Sequence, residues 1–274
     1  MRESRVIHFL YRTIAGRTIL KVLVNPKLSQ AAAKFLCSGF SRWLVPLFVE
    51  KNKINMDYYK IPKGGYPSFN DFFTRRMKEK YITRTGDELI CPCDGLLTVS
   101  GIDEHLVFHI KHTEYSVTEL LQDEKLATDM KGGTAFIFRL TPANYHRYLF
   151  CTTGFLLAEK KINGILHSVQ PICHEVEKVF VQNTREYILM NSDDLGKVVQ
   201  MEIGALLVGK ITNYPLENKE PICGGTEKGY FEYGGSSIVI LVKEKVRLSE
   251  EIKGRYKIGS EIPVMIGENL IESI

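Results

Sequence analysis

No run of about 18 uncharged apolar residues occurs in the sequence, so no segment reads as a helix crossing a bilayer. The first residues do not read as a secretory leader either, because Arg12, Arg17 and Lys21 interrupt any apolar stretch there. Cysteine is too sparse for a disulfide scaffold: Cys37, Cys91, Cys93, Cys151, Cys173 and Cys223 are scattered along 274 residues and fit a reducing, cytosolic setting. Cys91-Pro92-Cys93 is C-x-C, not the paired C-x-x-C of a zinc site. His105, His109 and His112 crowd together without a second ligand cluster, so no metal is expected. The net charge of +4 is too small to argue for nucleic acid, and there is no repeat or low-complexity tract.

Two motifs fail by one residue each. GALLVGKIT (204–212) imitates a phosphate-binding loop but has Ile211 where the Mg²⁺-binding hydroxyl must be. GGSSI (234–238) is not the G-x-S-x-G elbow of an α/β-hydrolase, because Ile238 replaces the last glycine.

What the sequence does contain is unevenly placed. Residues 1–49 carry eight basic side chains (Arg2, Arg5, Arg12, Arg17, Lys21, Lys27, Lys34, Arg42) against one acid, Glu3. The remainder holds 28 of the 36 basic and 31 of the 32 acidic residues, so the body is mildly acidic. VIHFLYRTIAGRTILKVLV (6–24) and LSQAAAKFLCSGFSRWLVPLFVE (28–50) predict two helices split at Asn25-Pro26, each with bulky apolar residues on one side and basic residues between. Such segments suit an anionic membrane surface on which they lie without spanning it. A helical hairpin packed on the body, or a dimer interface, is the alternative.

Next, Ser68 and Asp71 in YPSFNDFFTRRMK (66–78) predict a capping box opening a short helix. From about residue 90 the pattern is mostly of strands: 96–100, 105–110, 134–140, 178–181, 186–190, 197–212 and 236–242, with one helix at 115–127. The expectation is an α+β fold: residues 1–50 a helical membrane-associating segment, residues 51–274 a β-rich, sandwich- or barrel-like catalytic body.

Three polar signals stand out from that background. Cys91-Pro92-Cys93-Asp94-Gly95 puts a carboxylate in a turn before a strand. LTPANYHRY (140–148) puts His146 after a strand, among aromatics and an arginine. Gly234-Gly235-Ser236-Ser237 interrupts strand-like sequence with a hydroxyl beside unhindered backbone. Asp94, His146 and Ser236 could act as orienting group, base and nucleophile. Each also has a plainer reading, as a turn aspartate, a core histidine and a bulge serine.

Taken together with LYRTIAGRTILK, SFNDFFTRRMK, the CP-x-DG turn, L-x-P-x-x-YHR, G-x-LHSV-x-P and KGYFEYGGSSI, the sequence resembles the phosphatidylserine decarboxylases, pyruvoyl enzymes of phospholipid synthesis. The resemblance runs over nearly the whole chain. It implies self-cleavage between Gly235 and Ser236 into a β chain (1–235) and an α chain (236–274), which remain together as a heterodimer, with dimerisation of that heterodimer left open. Ser236 becomes a self-generated pyruvoyl group that forms a Schiff base with phosphatidylserine. Carbon dioxide is released and phosphatidylethanolamine remains. Asp94 and His146 would serve the cleavage, on the cytoplasmic side of the cell membrane as a peripheral protein. One departure is Leu149, where many members carry a second histidine; His146 would then serve both steps, or His167 would take one. Ser237 has a lesser hydrogen-bonding or proton-delivery role. The rival readings are a pyruvoyl decarboxylase of a soluble amino acid, a non-processing membrane scaffold of the same fold and, more distantly, a serine hydrolase.

Overall fold

The computed structural model describes residues 5–24, 33–82, 88–110, 113–206, 210–216, 221–233 and 236–272. In chain order the strands are β1 (Tyr59–Lys60), β2 (Arg76–Met77), β3 (Gly95–Gly101), β4 (Val107–Ile110), β5 (Thr113–Ser116), β6 (Thr134–Leu140), β7 (Arg147–Leu149), β8 (Phe155–Ile162), β9 (Arg185–Ser192), β10 (Gly196–Ile203), β11 (Ile211–Asn213), β12 (Glu227–Phe231), β13 (Ser236–Val242) and β14 (Ile262–Val264). One antiparallel sheet runs β14-β3-β6-β13-β10-β9-β8, and a smaller one runs β11-β12-β7.

The β13 strand explains the layering. Successive side chains alternate between faces, and every residue of SSIVILV is buried, so this strand must be covered on both sides. Val239 and Leu241 join a cluster with Leu10, Tyr11, Leu120, Phe180 and Met201, which is the helix-covered face. Ile238, Ile240 and Val242 join Phe136, Phe138, Tyr148 and Phe231, where the smaller sheet packs over the larger. The larger sheet, covered by the smaller sheet on one face and by helices on the other, makes the α+β fold that the sequence pattern leads one to expect.

A buried ion pair links the two sheets. Lys228 on β12 lies 2.5 Å from Glu202 on β10, and both side chains are essentially inaccessible. Gln200, Asn213 and Tyr148 complete the network. Burial raises the Glu202 carboxyl above its ordinary range, and Lys228 opposes that rise.

Several expectations need correction. The 6–24 segment is two helices, α1 (Arg5–Arg12) and α2 (Ile14–Leu23), broken at Thr13. The Thr13 hydroxyl accepts from Gly16 N, and a Cβ at Gly16 would sit 2.0 Å from Phe9 O, so only glycine allows this close turn. Leu10, Tyr11, Leu20 and Val24 are spent on the core, leaving Phe9, Ile14 and Ile19 outside. The 28–50 segment is likewise interrupted, by a turn at Gly39–Ser41 before the helix Leu44–Asn52; residues 25–32 lie outside the described residues.

KVFV (178–181), expected as a strand, forms a helical turn at Val179–Gln182. A four-residue apolar run is ambiguous in period, and here Phe180 closes against Tyr115 and His174 instead of joining a ladder. YSVTELLQDEKLA opens in β5 and then breaks into Val117–Leu121 and Glu124–Asp129, because Gln122 turns left-handed (φ 49°) and Asp123 caps the second helix. The long strand expected over 197–212 ends at Ile203, and the chain re-enters the smaller sheet as β11; residues 207–209 lie outside the described residues.

Candidate active site

The register places the three suspected residues before any side chain is considered. Asp94 immediately precedes β3, β6 ends at Leu140 just before the His146 loop, and Ser236 opens β13. β6 lies between the other two, with Leu96 opposite Arg139 and Ser236 opposite Leu140. All three thus come to one end of three neighbouring antiparallel strands. Gly234 and Gly235, expected immediately before the cleavage point, lie outside the described residues.

Ser236 shares its face with Ile238 and Ile240, the face under the smaller sheet. Its hydroxyl is fully buried and has no hydrogen-bond partner among the described residues. The Ser237 hydroxyl is equally buried and unpartnered there, but alternation turns it to the helix side.

His146 arrives on the Ser236 side. Its carbonyl accepts from Phe231 N at 2.9 Å, five residues before Ser236. The fully buried ring lies 4.0 Å from Phe73, which itself lies 5.2 Å from Tyr233. Phe73 is delivered by the helix Phe69–Phe73, whose Ser68 cap accepts from Asp71 N as the sequence predicts. Nδ1 of His146 lies 2.9 Å from the Asn144 carbonyl. A carbonyl can only accept, so Nδ1 carries a proton, and Nε2 is the ring nitrogen left to act as a base.

Asp94 sits half-buried at the end of a 440 Å³ cleft bordered by Lys53, Tyr58, Tyr59, Asn144 and Met265. Its carboxylate accepts from the amides of Ile266, at 3.0 Å, and Tyr145, the residue before the histidine. Burial raises the carboxyl above its ordinary range, opposed by those two amides and by the charge of Arg75. The alternative base, His167, is held by Tyr11 and Asn183 on the helix-covered side of the sheet.

The family profile of phosphatidylserine decarboxylase matches residues 69–272. The chain is similar to phosphatidylserine decarboxylase proenzyme 2 of Clostridium acetobutylicum, 43% identical over 97% of this chain and 91% of the relative. It is also similar to phosphatidylserine decarboxylase proenzymes of Ruminiclostridium cellulolyticum, at 37% over 97% of this chain and 90% of the relative, and of Clostridium perfringens, at 34% over 97% and 92%. The chain belongs to the phosphatidylserine decarboxylase family.

The Ser236 hydroxyl is thus both buried and, among the described residues, unpartnered. Leaving such a hydroxyl unsatisfied costs about 1–3 kcal/mol, so it is not a neutral packing choice. Leu149, where the resemblance leads one to expect a second histidine, is buried on β7 beside Tyr145 and Ile266. It therefore adds apolar surface next to the two amides that hold Asp94. Cys91 and Cys93, flanking the Asp94 turn, are fully buried; burial pushes both thiols up and leaves them unreactive.

Sequence reasoning overlooked Arg75, Phe73 and the Asn144 carbonyl. Arg75 is 2% exposed, and its guanidinium lies 4.2 Å over Tyr59 and donates to the carbonyls of Ala143 and Asn144. The available signal was an arginine directly after a phenylalanine-rich helix, which ordinarily reads as a solvated end.

Proposed function

We propose that this chain is the proenzyme of a phosphatidylserine decarboxylase, which cuts itself between Gly235 and Ser236 to generate its own pyruvoyl group. The observation that carries this reading is the Ser236 hydroxyl, buried without a partner among the described residues, on the same face and at the same strand end as His146.

The chemistry follows from those residues. Ser236 Oγ attacks the carbonyl carbon of Gly235 while its proton passes to Nε2 of His146. The Ser236 nitrogen takes a proton and leaves the carbonyl, so the peptide becomes an ester. Loss of the Ser236 Cα proton then expels the Gly235 carboxylate and divides the chain. Water displaces the amino group of the remaining dehydroalanine as ammonia, leaving a pyruvoyl group. That group supplies a ketone to condense with an amine, and an electron sink for the pair freed as CO₂ departs. His146 holds and returns the proton in both stages. Its position on the Ser236 side supports that assignment over His167. Asp94, bonded to the Tyr145 amide, fixes the histidine loop and marks where the cleft meets the site.

A diacyl substrate must be met at a membrane. Among the described residues no helix is long and apolar enough to cross one. Ile14, Phe40, Trp43 and Leu47 are exposed near Arg17, Lys21 and Arg42, a combination suited to a surface carrying anionic lipid. We place the enzyme peripherally on the cytoplasmic side of the cell membrane, its two chains held together as a heterodimer.

The test is to supply processed protein with phosphatidylserine in phosphatidylcholine vesicles and measure CO₂ and phosphatidylethanolamine. Stoichiometric formation of both is expected, and none with Ser236→Ala. Fully processed protein that leaves phosphatidylserine intact but decarboxylates free serine would overturn the lipid assignment.

A further inference from the structure

Arg75 is a buried cation for which no carboxylate comes within ion-pair distance among the described residues. Burying an arginine without an ion pair is costly unless its donors are otherwise used. Here Nη2 alone carries most of the bonding: Nη1 reaches only Phe72 O, at 3.5 Å, and Nε has no partner among the described residues. Nη2 lies 3.1 Å from Ala143 O and 3.3 Å from Asn144 O, and also meets the Tyr59 hydroxyl. The plane of the guanidinium is fixed between the rings of Tyr59 and Phe72, at 4.2 and 4.9 Å. The Asn144 carbonyl is therefore shared: it accepts from Arg75 on one side and from His146 Nδ1 on the other.

We propose that Arg75 is a positioning residue for self-cleavage, one that holds the Asn144 carbonyl so that His146 presents an unprotonated Nε2 to Ser236. This rests on the reading of function above and adds to it a residue that touches neither substrate nor cleavage point. The fixed carbonyl sets both the tautomer and the orientation of the ring. The adjacent positive charge also disfavours a second one, so it keeps the imidazole neutral and able to accept a proton. The other titratable groups on elements packed around His146 include Asp94, Tyr145, Tyr59, the Arg147–Glu227 pair, the Glu202–Lys228 pair and Tyr233. Lysine cannot replace this arrangement, because its ammonium has neither the planar fork nor the stacking face.

The test follows cleavage over time in chains made by cell-free synthesis, across about pH 5 to 9, the range in which histidine titrates. The Arg75→Gln variant is expected to cleave about 10- to 100-fold more slowly at neutral pH, the scale of a misplaced catalytic group. Its acid limb is expected to move to higher pH, because removing the cation makes the imidazolium easier to form. Arg75→Lys keeps the charge and loses the fork, so the rate falls while the limb stays in place. A folded Arg75→Gln that cleaves like the parent, or one that is slowed without any shift of the limb, overturns the proposal. If the glutamine variant fails to fold, Arg75→Lys decides: an unchanged rate overturns the proposal and a slowed rate with the parent's limb supports it. A parent chain that never cleaves would instead refute the function on which this rests, and that outcome is visible in the parent alone.

Discussion

At Asp94, burial and two backbone amides pull the carboxyl in opposite directions. Burial holds its carboxyl above the ordinary value of 3.8, so the folded chain binds that proton more tightly than the unfolded chain does. Its contribution to stability is therefore greatest below 3.8 and is lost as pH rises through the raised folded value. Asp94→Asn removes the ionisation, so its stability relative to a cleavage-blocked parent should increase as pH rises through that window and then level off. Denaturant titrations at several pH values check this, and a difference that stays constant with pH would contradict it. Ser236→Ala should remain a single chain at every pH while still unfolding cooperatively. That both residues stand at strand boundaries was legible in the sequence, because each sits in a short polar motif. Arg75 was not, since nothing in TRRMK distinguishes the buried first arginine from the exposed second one. The Asn144 carbonyl was beyond reach for a different reason: backbone groups leave no mark in a pattern of side chains.

Among the elements, β13 was recovered with its bounds intact, because a β-branched run buried on both faces has few alternatives to the centre of a sheet. Among the short elements, the helix Phe69–Phe73 was announced by its capping box, but KVFV became a helical turn because neighbouring aromatics, not period, decided it. The apolar side of residues 6–24 was visible, but its division between core and surface was not. That division depends on the break at Thr13. Gly16→Ala should open the α1–α2 turn, since the added carbon would lie 2.0 Å from Phe9 O; faster amide exchange over 5–24 would show it. The Lys228–Glu202 pair between β12 and β10 gives a sharper test. Lys228→Met alone leaves a buried carboxylate and should cost about 3–5 kcal/mol in urea unfolding, whereas pairing it with Glu202→Leu should restore most of the loss. Equal losses in the single and double variants would contradict this.

Across the whole molecule, cleavage at 235/236 would leave β13 and everything after it on a separate chain. β13 nevertheless lies between β6 and β10, both of which belong to the first chain. The ladders and the core on both faces should hold the two chains together, so native size should not change on processing. The exposed Phe40, Trp43 and Leu47, at 83%, 59% and 55%, belong to the same scale because they face away from the core. Replacing all three with serine should weaken binding to anionic vesicles by at least about tenfold, given that each inserted side chain contributes on the order of 1 kcal/mol or more. Sedimentation with vesicles measures it, and unchanged binding would place the contact surface elsewhere.

The central claim is that Ser236 converts itself, and a denaturing intact-mass spectrum of the purified protein addresses it most directly. The expected result is two chains, residues 1–235 and residues 236–274, the second beginning with a pyruvoyl group in place of serine. A single uncut chain of 274 residues from correctly folded protein in the presence of lipid would contradict the account.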